Sequence, residues 1–400
     1  MTQPVAELLA GKLRGLDPNH PDYAPRGVDA LLAVARIAGT TDIHLQPTGA
    51  NLELKFRVDG VLLSVATFPG ALAGNVVARL KVLAGLLTYH TDRPQEGRIR
   101  LPQDDVEMRV CTYPTLHGER AVVRLFGGAK RYQHLDNLGL PDDVLPTLQS
   151  LLAQTSGAIL VSGPAGSGKT TTIYACLREI ARRSEGARSL MTIEDPVEVS
   201  VAGVAQSQVH PTVGLDLAAG LRFLMRQDPE VIMVGEIRDR PTADAALQAS
   251  LTGHLLLSTF HAGSAAETVG RLLDMGIEPY ILRSGLLAVL NQRLLRRLCS
   301  CARESADEDA RLGLKVDRVF QSVGCEKCRG TGYFGRLLIV EMLVVMHTEL
   351  GRAVLARADT AELESLALQA GMIGRLSRAW QAVDAGLTTP AEVRRVMGFA

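Results

Sequence analysis

The sequence predicts an α/β protein of two domains, an α+β domain followed by a larger domain built on a mostly parallel sheet. Apolar and polar residues alternate over 52–58, which indicates a strand with one buried face. Continuous apolar runs at 158–161 and 231–234, separated by helical patterns, are typical of buried strands in a doubly wound sheet. Between the two predicted domains, a glycine-containing polar stretch over 127–137 interrupts the apolar pattern and predicts a linker.

Composition limits the classes of function. The 400 residues are 46% hydrophobic, enough for two or three cores at roughly 100–200 residues per domain. The 43 Lys and Arg balance 43 Asp and Glu, and no block of like charge stands out, which argues against nucleic acid as the main partner. We find neither a secretory leader nor an apolar run near the roughly 18 residues that span a membrane. We therefore expect a cytoplasmic protein without a transmembrane segment, whose six cysteines are reduced.

The expected boundaries follow from these patterns. Residues 1–26 are expected to form a short extension, 27–130 the α+β domain, 131–137 the linker and 138–400 the second domain. In the first domain, helices are expected near 29–38 and 76–87, strands at 107–112 and 120–126 besides 52–58, and a hairpin turn at 59–60.

A phosphate-binding loop is predicted at 163–170. This segment matches the P-loop pattern and stands between a predicted strand and a predicted helix, as the mechanism requires. Glycines let backbone N–H groups wrap the phosphates, and the helix N-terminus adds positive potential. An ordinary glycine-rich turn is the disfavoured alternative, because both the context and the residues fit. The predicted nucleotide-binding residues are Gly163, Pro164, Ala165, Gly166, Ser167, Gly168, Lys169, Thr170 and Thr171. Of these, Lys169 would neutralise the β- and γ-phosphates and Thr170 would hold Mg²⁺.

Two acidic segments follow the loop. The apolar run 231–234 leads to Glu236 in the form of a Walker B strand, with Glu where many P-loop enzymes have Asp. Thr192 to Glu198 carries three acids after a strand-like run, and either Glu194 or Glu198 could serve as a general base. An acidic turn taken alone is more often only solvated.

Two histidines flank a short apolar run. His254 precedes residues 255–257 and His261 follows them, so that this strand could carry both to the nucleotide. A structural role is the alternative for a lone histidine such as His254.

Taken together, the ordered motifs resemble the secretion and pilus-assembly ATPase family over nearly the whole chain from residue 27. The matching segments are 42–44, 57–60, 94–98, 117–120, the P-loop, 193–198, 221–239 and 252–261. The resemblance implies a PAS-like first domain, a RecA-like second domain and a ring of six subunits. In such a ring the first domain of one subunit packs over the nucleotide of another.

The resemblance also implies roles for individual residues. Glu194 would be the general base, Glu236 would serve the Walker B role near Mg²⁺ and water, and His261 would sense the γ-phosphate. Two arginines spaced for one helical face match arginines near the active site: Arg222 and Arg226. Three arginines of the first domain match the region that supplies arginines to a neighbouring nucleotide, with surface salt bridges as the alternative for each: Arg98, Arg109 and Arg124.

Four cysteines between 299 and 328, here called the cysteine module, resemble the zinc module of the secretion and pilus-assembly branch. Cys325 and Cys328 form a CxxC pair, whereas Cys299 and Cys301 form a shortened CxC pair that needs a different backbone path to reach a tetrahedral metal. Zinc is favoured, and a degenerate module with free thiols is the alternative. A C-terminal helical region is expected at 335–400.

The function implied by the resemblance is that of a hexameric cytoplasmic ATPase, using ATP and Mg²⁺. It would power assembly of a type IV pilus or a type II secretion pseudopilus through an inner-membrane platform protein. Pilus-retraction or DNA-uptake motors are alternatives, although retraction ATPases lack the paired cysteines. Neutral charge weighs against a RecA-like nucleic-acid translocase, and the intact catalytic residues weigh against a non-catalytic scaffold. With only 26 residues before the PAS-like region, we do not expect docking through the additional N-terminal domain of many family members.

Overall fold

The computed structural model describes residues 3–18, 20–100, 107–125, 132–345 and 348–398. The chain divides into two compact units. The first comprises residues 1–130, 296–307 and 318–336, and the second comprises 131–295, 308–317 and 337–400. Gly127, Gly128 and the predicted start of the linker at 131 lie outside the described residues.

The first unit is built on a six-stranded sheet in the order β3-β2-β1-β6-β5-β4, with every neighbouring pair antiparallel. Its strands are β1 (Thr40–Pro47), β2 (Asn51–Val58), β3 (Val61–Pro69), β4 (Gln95–Arg100), β5 (Glu107–Thr115) and β6 (Gly118–Leu125). Asp59 and Gly60 join β2 to β3 with φ of 47° and 85°. Both central residues have positive φ, as a tight hairpin turn requires, so the predicted turn is confirmed.

Three helices contribute to the core on one face of this sheet: α1 (Gln3–Leu13), α2 (Tyr23–Ile37) and α3 (Ala73–Leu83). Within α1, Val5 and Leu9 are buried in the same core as Leu31 of α2 and Phe56 of β2. The predicted extension 1–26 therefore includes a helix that adds apolar surface to the core, and α2 begins before residue 27.

The cysteine module was expected within the 138–400 domain, but the structure groups it with the first unit. Two short strands of this segment, β13 (Arg303–Ser305) and β14 (Val319–Gln321), pair antiparallel. The Arg329 guanidinium donates to the carbonyl oxygens of Ile37 and Ala38 at the end of α2, at 2.8 and 2.9 Å. Hydrogen bonds between residues distant in the sequence thus join this segment to the first unit.

The second unit is built on a seven-stranded sheet in the order β15-β12-β7-β11-β10-β8-β9. The pairings from β12 to β9 are parallel, which confirms the predicted parallel sheet. Its strands are β7 (Gly157–Ser162), β8 (Leu190–Glu194), β9 (Ala205–Gln208), β10 (Val231–Val234), β11 (Leu255–Phe260), β12 (Leu286–Leu298) and β15 (Tyr333–Val344).

Helices cover both faces of this sheet. Ile232 and Val234 of β10 point into one core, whereas Val231 and Met233 point into another, so the strand is apolar throughout. The helices are α4 (Leu145–Leu152), α5 (Lys169–Ser184), α6 (Leu217–Leu224), α7 (Arg240–Leu251), α8 (Ala265–Asp274), α9 (Pro279–Gly285), α10 (Thr348–Leu355), α11 (Thr360–Gln369), α12 (Arg375–Asp384) and α13 (Pro390–Met397). The predicted helical region 335–400 begins inside β15, and its helices start at Thr348. Within the parts of the chain that the structure describes, no helix has both the length and the apolar character needed to cross a bilayer.

Candidate functional site

The carboxyl ends of four neighbouring parallel strands carry the predicted site residues. The P-loop follows β7, His261 follows β11, Glu236 lies two residues beyond β10, and Glu194 is the last residue of β8. Because β7, β11, β10 and β8 are adjacent and parallel, their carboxyl ends meet at one edge of the sheet. This edge is where ligands bind in open α/β sheets.

Glycines determine the path of the P-loop. Gly163, Gly166 and Gly168 have φ of 144°, 75° and 91°, a region that side chains disfavour. At Gly163 a Cβ would also lie 2.5 Å from the Gln292 carbonyl oxygen and 2.6 Å from the Ser167 hydroxyl. Only glycine fits there, and α5 then begins at Lys169 with its first N–H groups facing the loop.

The polar groups inside the loop fit an anion. Lys169 is 8% exposed, and its ammonium donates to the carbonyl oxygens of Gly163 and Pro164, each at 3.0 Å. Burial lowers the pKa of Lys169, while the negative charge of Glu236 opposes that shift. The buried Ser167 hydroxyl has no hydrogen-bond partner among the residues described. A phosphate in the loop would give Lys169 a counter-charge and Ser167 an acceptor.

Glu236 and His261 are in direct contact beside the loop. His261 Nε2 lies 3.0 Å from one Glu236 carboxylate oxygen, and Arg238 donates to the other at 2.8 Å. Arg238 also lies 3.7 Å from the Asp195 carboxylate, so it links the Walker B segment to the acidic segment. Burial, followed by the charge of Lys169, lowers the pKa of His261. His261 is therefore a neutral partner of Glu236 near pH 7.

Glu194 occupies a different environment from Glu236. It is 3% exposed and accepts hydrogen bonds from three side chains: Tyr174 at 2.5 Å, Thr192 at 2.6 Å and Gln206 at 3.0 Å. Gly235 allows the adjacent backbone to approach, since a Cβ there would lie 3.3 Å from the Glu194 Cα. The two predicted carboxylates thus differ, one buried and held by donors and the other partly exposed beside Lys169.

Two expectations about this edge need correction. His254 lies at the amino end of β11, where its ring contacts the Ala249 carbonyl oxygen at 3.1 Å, so the strand brings only His261 to the site. Arg226 lies beyond α6, which ends at Leu224, and its guanidinium sits over the Phe223 ring at 5.9 Å. Arg222 thus lies on α6 and Arg226 two residues beyond its end, and both are exposed.

The three arginines of the first unit form one row across its sheet. Arg98 on β4 is opposite Arg109 on β5, and Arg109 is opposite Arg124 on β6. Alternate residues on these strands fill the core, so the row lies on the other face. Each arginine has an acidic partner within the chain. The pairs are Arg98 with Glu107 at 2.9 Å, Arg109 with Glu96 at 2.5 Å and Arg124 with Asp42 at 2.9 Å.

The four sulfurs of the cysteine module lie within 4.8 Å of one another. Cys299 and Cys325 are 3.8 Å apart, as are Cys301 and Cys328, and Cys325 and Cys328 are 3.7 Å apart. A tetrahedral Zn²⁺ with bonds of about 2.3 Å places its sulfurs about 3.8 Å apart. Backbone N–H groups of Cys325 and Gly332 point at the Cys328 sulfur, at 3.0 and 3.2 Å, which suits a thiolate ligand. The shortened CxC pair therefore does not prevent tetrahedral spacing.

Three residues at the sheet edge are not among those predicted from the sequence: Tyr174, Gln206 and Arg238. Tyr174 follows Thr170 by one helical turn, and Arg238 follows Glu236 by two residues. These short spacings from predicted site residues are the sequence features that point to Tyr174 and Arg238. Nothing in the pattern around Gln206 predicts its contact with Glu194.

Comparison with known proteins identifies the family. The model of the family described as "Type II/IV secretion system protein" matches residues 22–395. Type II secretion system protein HxcR of Pseudomonas aeruginosa is 41% identical over 379 residues, which cover 94% of this chain and 78% of that protein. Type IV pilus assembly ATPase PilB of Thermus thermophilus is 37% identical over 381 residues, which cover 92% of this chain and 42% of that protein.

A solved structure has a fold similar to that of this chain. The ATPase DotB of Legionella pneumophila aligns with a TM-score of 0.67 at 22% identity, covering 95% of this chain and 97% of that one. The structural likeness to DotB shows a similar fold. The family match and the more similar relatives show which family the chain belongs to. The chain therefore belongs to the type II/IV secretion system protein family, a family of secretion and pilus ATPases.

Proposed function

We propose that the chain works as a homohexameric, cytoplasmic ATPase, with a PAS-like first domain and a RecA-like second domain, that powers assembly of a type IV pilus or a type II secretion pseudopilus. The observation that carries this proposal is the meeting of Lys169, Glu194, Glu236 and His261 at the carboxyl edge of four parallel strands. Each of the four supplies a function that phosphoryl transfer to water needs.

Lys169 would exchange the Gly163 and Pro164 carbonyl oxygens for phosphate oxygens, and the γ-phosphate would then lie beside Glu236 and His261. Mg²⁺, held by the Thr170 hydroxyl, would neutralise charge on the phosphates when bound. Glu194 would accept the proton of the attacking water, and neutral His261 would contact the γ-phosphate.

The arginine row supports a role for the ring. Three arginines aligned across one sheet need anions near them, and a neighbouring subunit's nucleotide would add a further anion to their acidic partners within the chain. We therefore propose that Arg98, Arg109 and Arg124 act in trans. Their acidic partners within the chain would hold them until the ring forms.

The cysteine module favours assembly or secretion over retraction. Its four sulfurs have the spacing of a structural Zn²⁺ site, and we propose that they hold one. The names of the relatives, a type II secretion protein and a type IV pilus assembly ATPase, agree with that direction. The partner would be an inner-membrane platform protein, which would bring the ring to the inner face of the cytoplasmic membrane.

The test compares Glu194→Gln with Glu236→Gln in the purified full chain. Glu194→Gln should still bind ATP but hydrolyse it about 10²–10⁴-fold more slowly, which is the usual contribution of a general base. Normal turnover in Glu194→Gln together with slow turnover in Glu236→Gln would reverse the two assignments. Strong stimulation of hydrolysis by DNA would favour the nucleic-acid translocase instead.

A further inference from the structure

Tyr174 joins the phosphate-binding helix to the acidic segment through one hydroxyl group. Its O–H donates to a Glu194 carboxylate oxygen at 2.5 Å and accepts from the Glu198 backbone N–H at 3.1 Å. The Tyr174 side chain is buried, with the residue 4% exposed. Burial and the adjacent Glu194 charge raise the pKa of Tyr174, so the hydroxyl keeps its proton and remains a donor at neutral pH.

The Glu194 carboxylate has donors on both oxygens but is not saturated. One oxygen accepts from Thr192 and Gln206, whereas the other accepts from Tyr174. A carboxylate offers about four acceptor positions, so the oxygen bonded to Tyr174 retains one. Tyr174 therefore limits the direction from which a water molecule can approach that oxygen.

The origin of the three donors separates Tyr174 from the other two. Thr192 lies on β8 within the acidic segment, and Gln206 lies on the neighbouring strand β9. Tyr174 lies on α5, one turn after Thr170 on the same helical face, and α5 begins at Lys169. Of these donors, only Tyr174 belongs to the element that holds the phosphates.

We propose that Tyr174 is a positioning residue that fixes the Glu194 carboxylate relative to the phosphate-binding helix. The inference rests on the proposed role of Glu194 as the general base. In the reaction, a water O–H bond breaks and its proton passes to Glu194. The water oxygen forms a bond to the γ-phosphorus, and the bond from that phosphorus to the bridging oxygen of ADP breaks. Tyr174 keeps its own proton and holds the Glu194 carboxylate, which accepts the proton of the water, in position.

The experiment is a double-mutant cycle in the full chain, with Tyr174→Phe, Glu194→Gln and the double variant. Tyr174→Phe keeps the ring and removes the hydroxyl. We expect its kcat to fall about 10- to 10²-fold, as for a small misplacement of a catalytic group. KM and the dissociation constant of a fluorescent ATP analogue should stay within about twofold, since phosphate binding is untouched. The double variant should be no slower than Glu194→Gln alone, because Tyr174 acts through that carboxylate.

Tyr280→Phe is the matched control, since it removes a tyrosine hydroxyl from the exposed surface of α9 and should leave kcat unchanged. Thermal unfolding verifies that each variant is folded. Wild-type kcat in Tyr174→Phe, or a further slowing in the double variant beyond Glu194→Gln, would overturn the inference while leaving the general base in place. Wild-type turnover in Glu194→Gln would instead reject the base assignment, and the inference would fall with it.

Discussion

Arg109 and Arg124 lie directly opposite each other on β5 and β6, although they are 15 positions apart in the sequence and both carry a positive charge. Glu96 and Asp42 offset this repulsion by pairing with one arginine each. Asp42 also lies 3.5 Å from Arg57, so one largely buried carboxylate serves two guanidinium groups. These ion pairs balance the like charges that the strand register brings together.

The first prediction is that an arginine of this row acts on a neighbouring subunit. Lys169→Ala and Arg98→Ala should each be nearly inactive alone, because an arginine finger can contribute about 10³–10⁵ in rate. When separated subunits of the two variants are assembled into mixed rings, some interfaces pair an intact Lys169 with an intact Arg98. In a random equimolar ring about a quarter of the interfaces do so, and activity should partly return.

Lys55→Ala is the control for that experiment. It removes a cation on β2 that pairs with Glu53, and rings of this variant should keep full activity. Intact, intermixed rings without recovery would reject the trans role of Arg98, and Arg109 and Arg124 would then be tested in the same way.

The second prediction concerns the P-loop lysine. Lys169→Ala should lower Mg²⁺-dependent ATP hydrolysis by at least about 10²–10³-fold, the loss typical of removing one stabilising group from a transition state. Release of inorganic phosphate is the measurement. Unfolding temperatures close to that of the wild type would verify that the loss is chemical. Wild-type turnover in a folded variant would contradict the nucleotide-site assignment.

The third prediction is the ionisation of His261. Burial and then the charge of Lys169 lower its pKa below the ordinary value of 6.5. The unfolded chain consequently takes up this proton first as the pH falls, and the contribution of His261 to the free energy of unfolding is lost on acidification from about pH 6.5 towards the folded-state pKa. NMR titration of histidine-labelled protein, with His261→Gln to assign the signal, should give a midpoint below 6.5.

Lys169→Ala gives an internal check on that titration. Removing the nearby cation should raise the midpoint of His261, although burial should still hold it down. A midpoint at or above 6.5 in the wild type, or one indifferent to Lys169, would contradict the arrangement of charges described for the site.

The fourth prediction is about one zinc ion per chain in the cysteine module. Cys328→Ser should lose the metal, whereas Cys111→Ser, outside the cluster, should retain it. Arg329 follows Cys328 and holds the end of α2, so hydrogen exchange should increase at Ile37 and Ala38 more than at the P-loop. Metal analysis without zinc, together with four titratable thiols in the native protein, would support the degenerate module.

Much of the second unit could be predicted from the sequence because its central strands are buried on both faces. Continuous apolar runs gave β7 and β10 within one residue at each end, and the glycines of the P-loop are required by the backbone itself. β4 was missed because Gln95–Arg100 is an edge strand in which Ile99 is the one large apolar residue. β15 was missed because its start lies in a glycine-containing stretch that was expected to lead into helices.

The sequence by itself determined which residue types the chain offers for phosphate chemistry and in what order they occur, since glycine geometry and apolar periodicity are local properties. Tertiary structure decided which of them meet. Because of the direction of β11, His254 lies at the amino end of the strand, away from the site, whereas His261 lies at the carboxyl end beside Glu236. The register of β4, β5 and β6 aligns the three arginines, and the packing of α5 places the Tyr174 hydroxyl on Glu194. These relationships join segments distant in the chain, so strand pairing and side-chain packing fix them, and no local pattern records them.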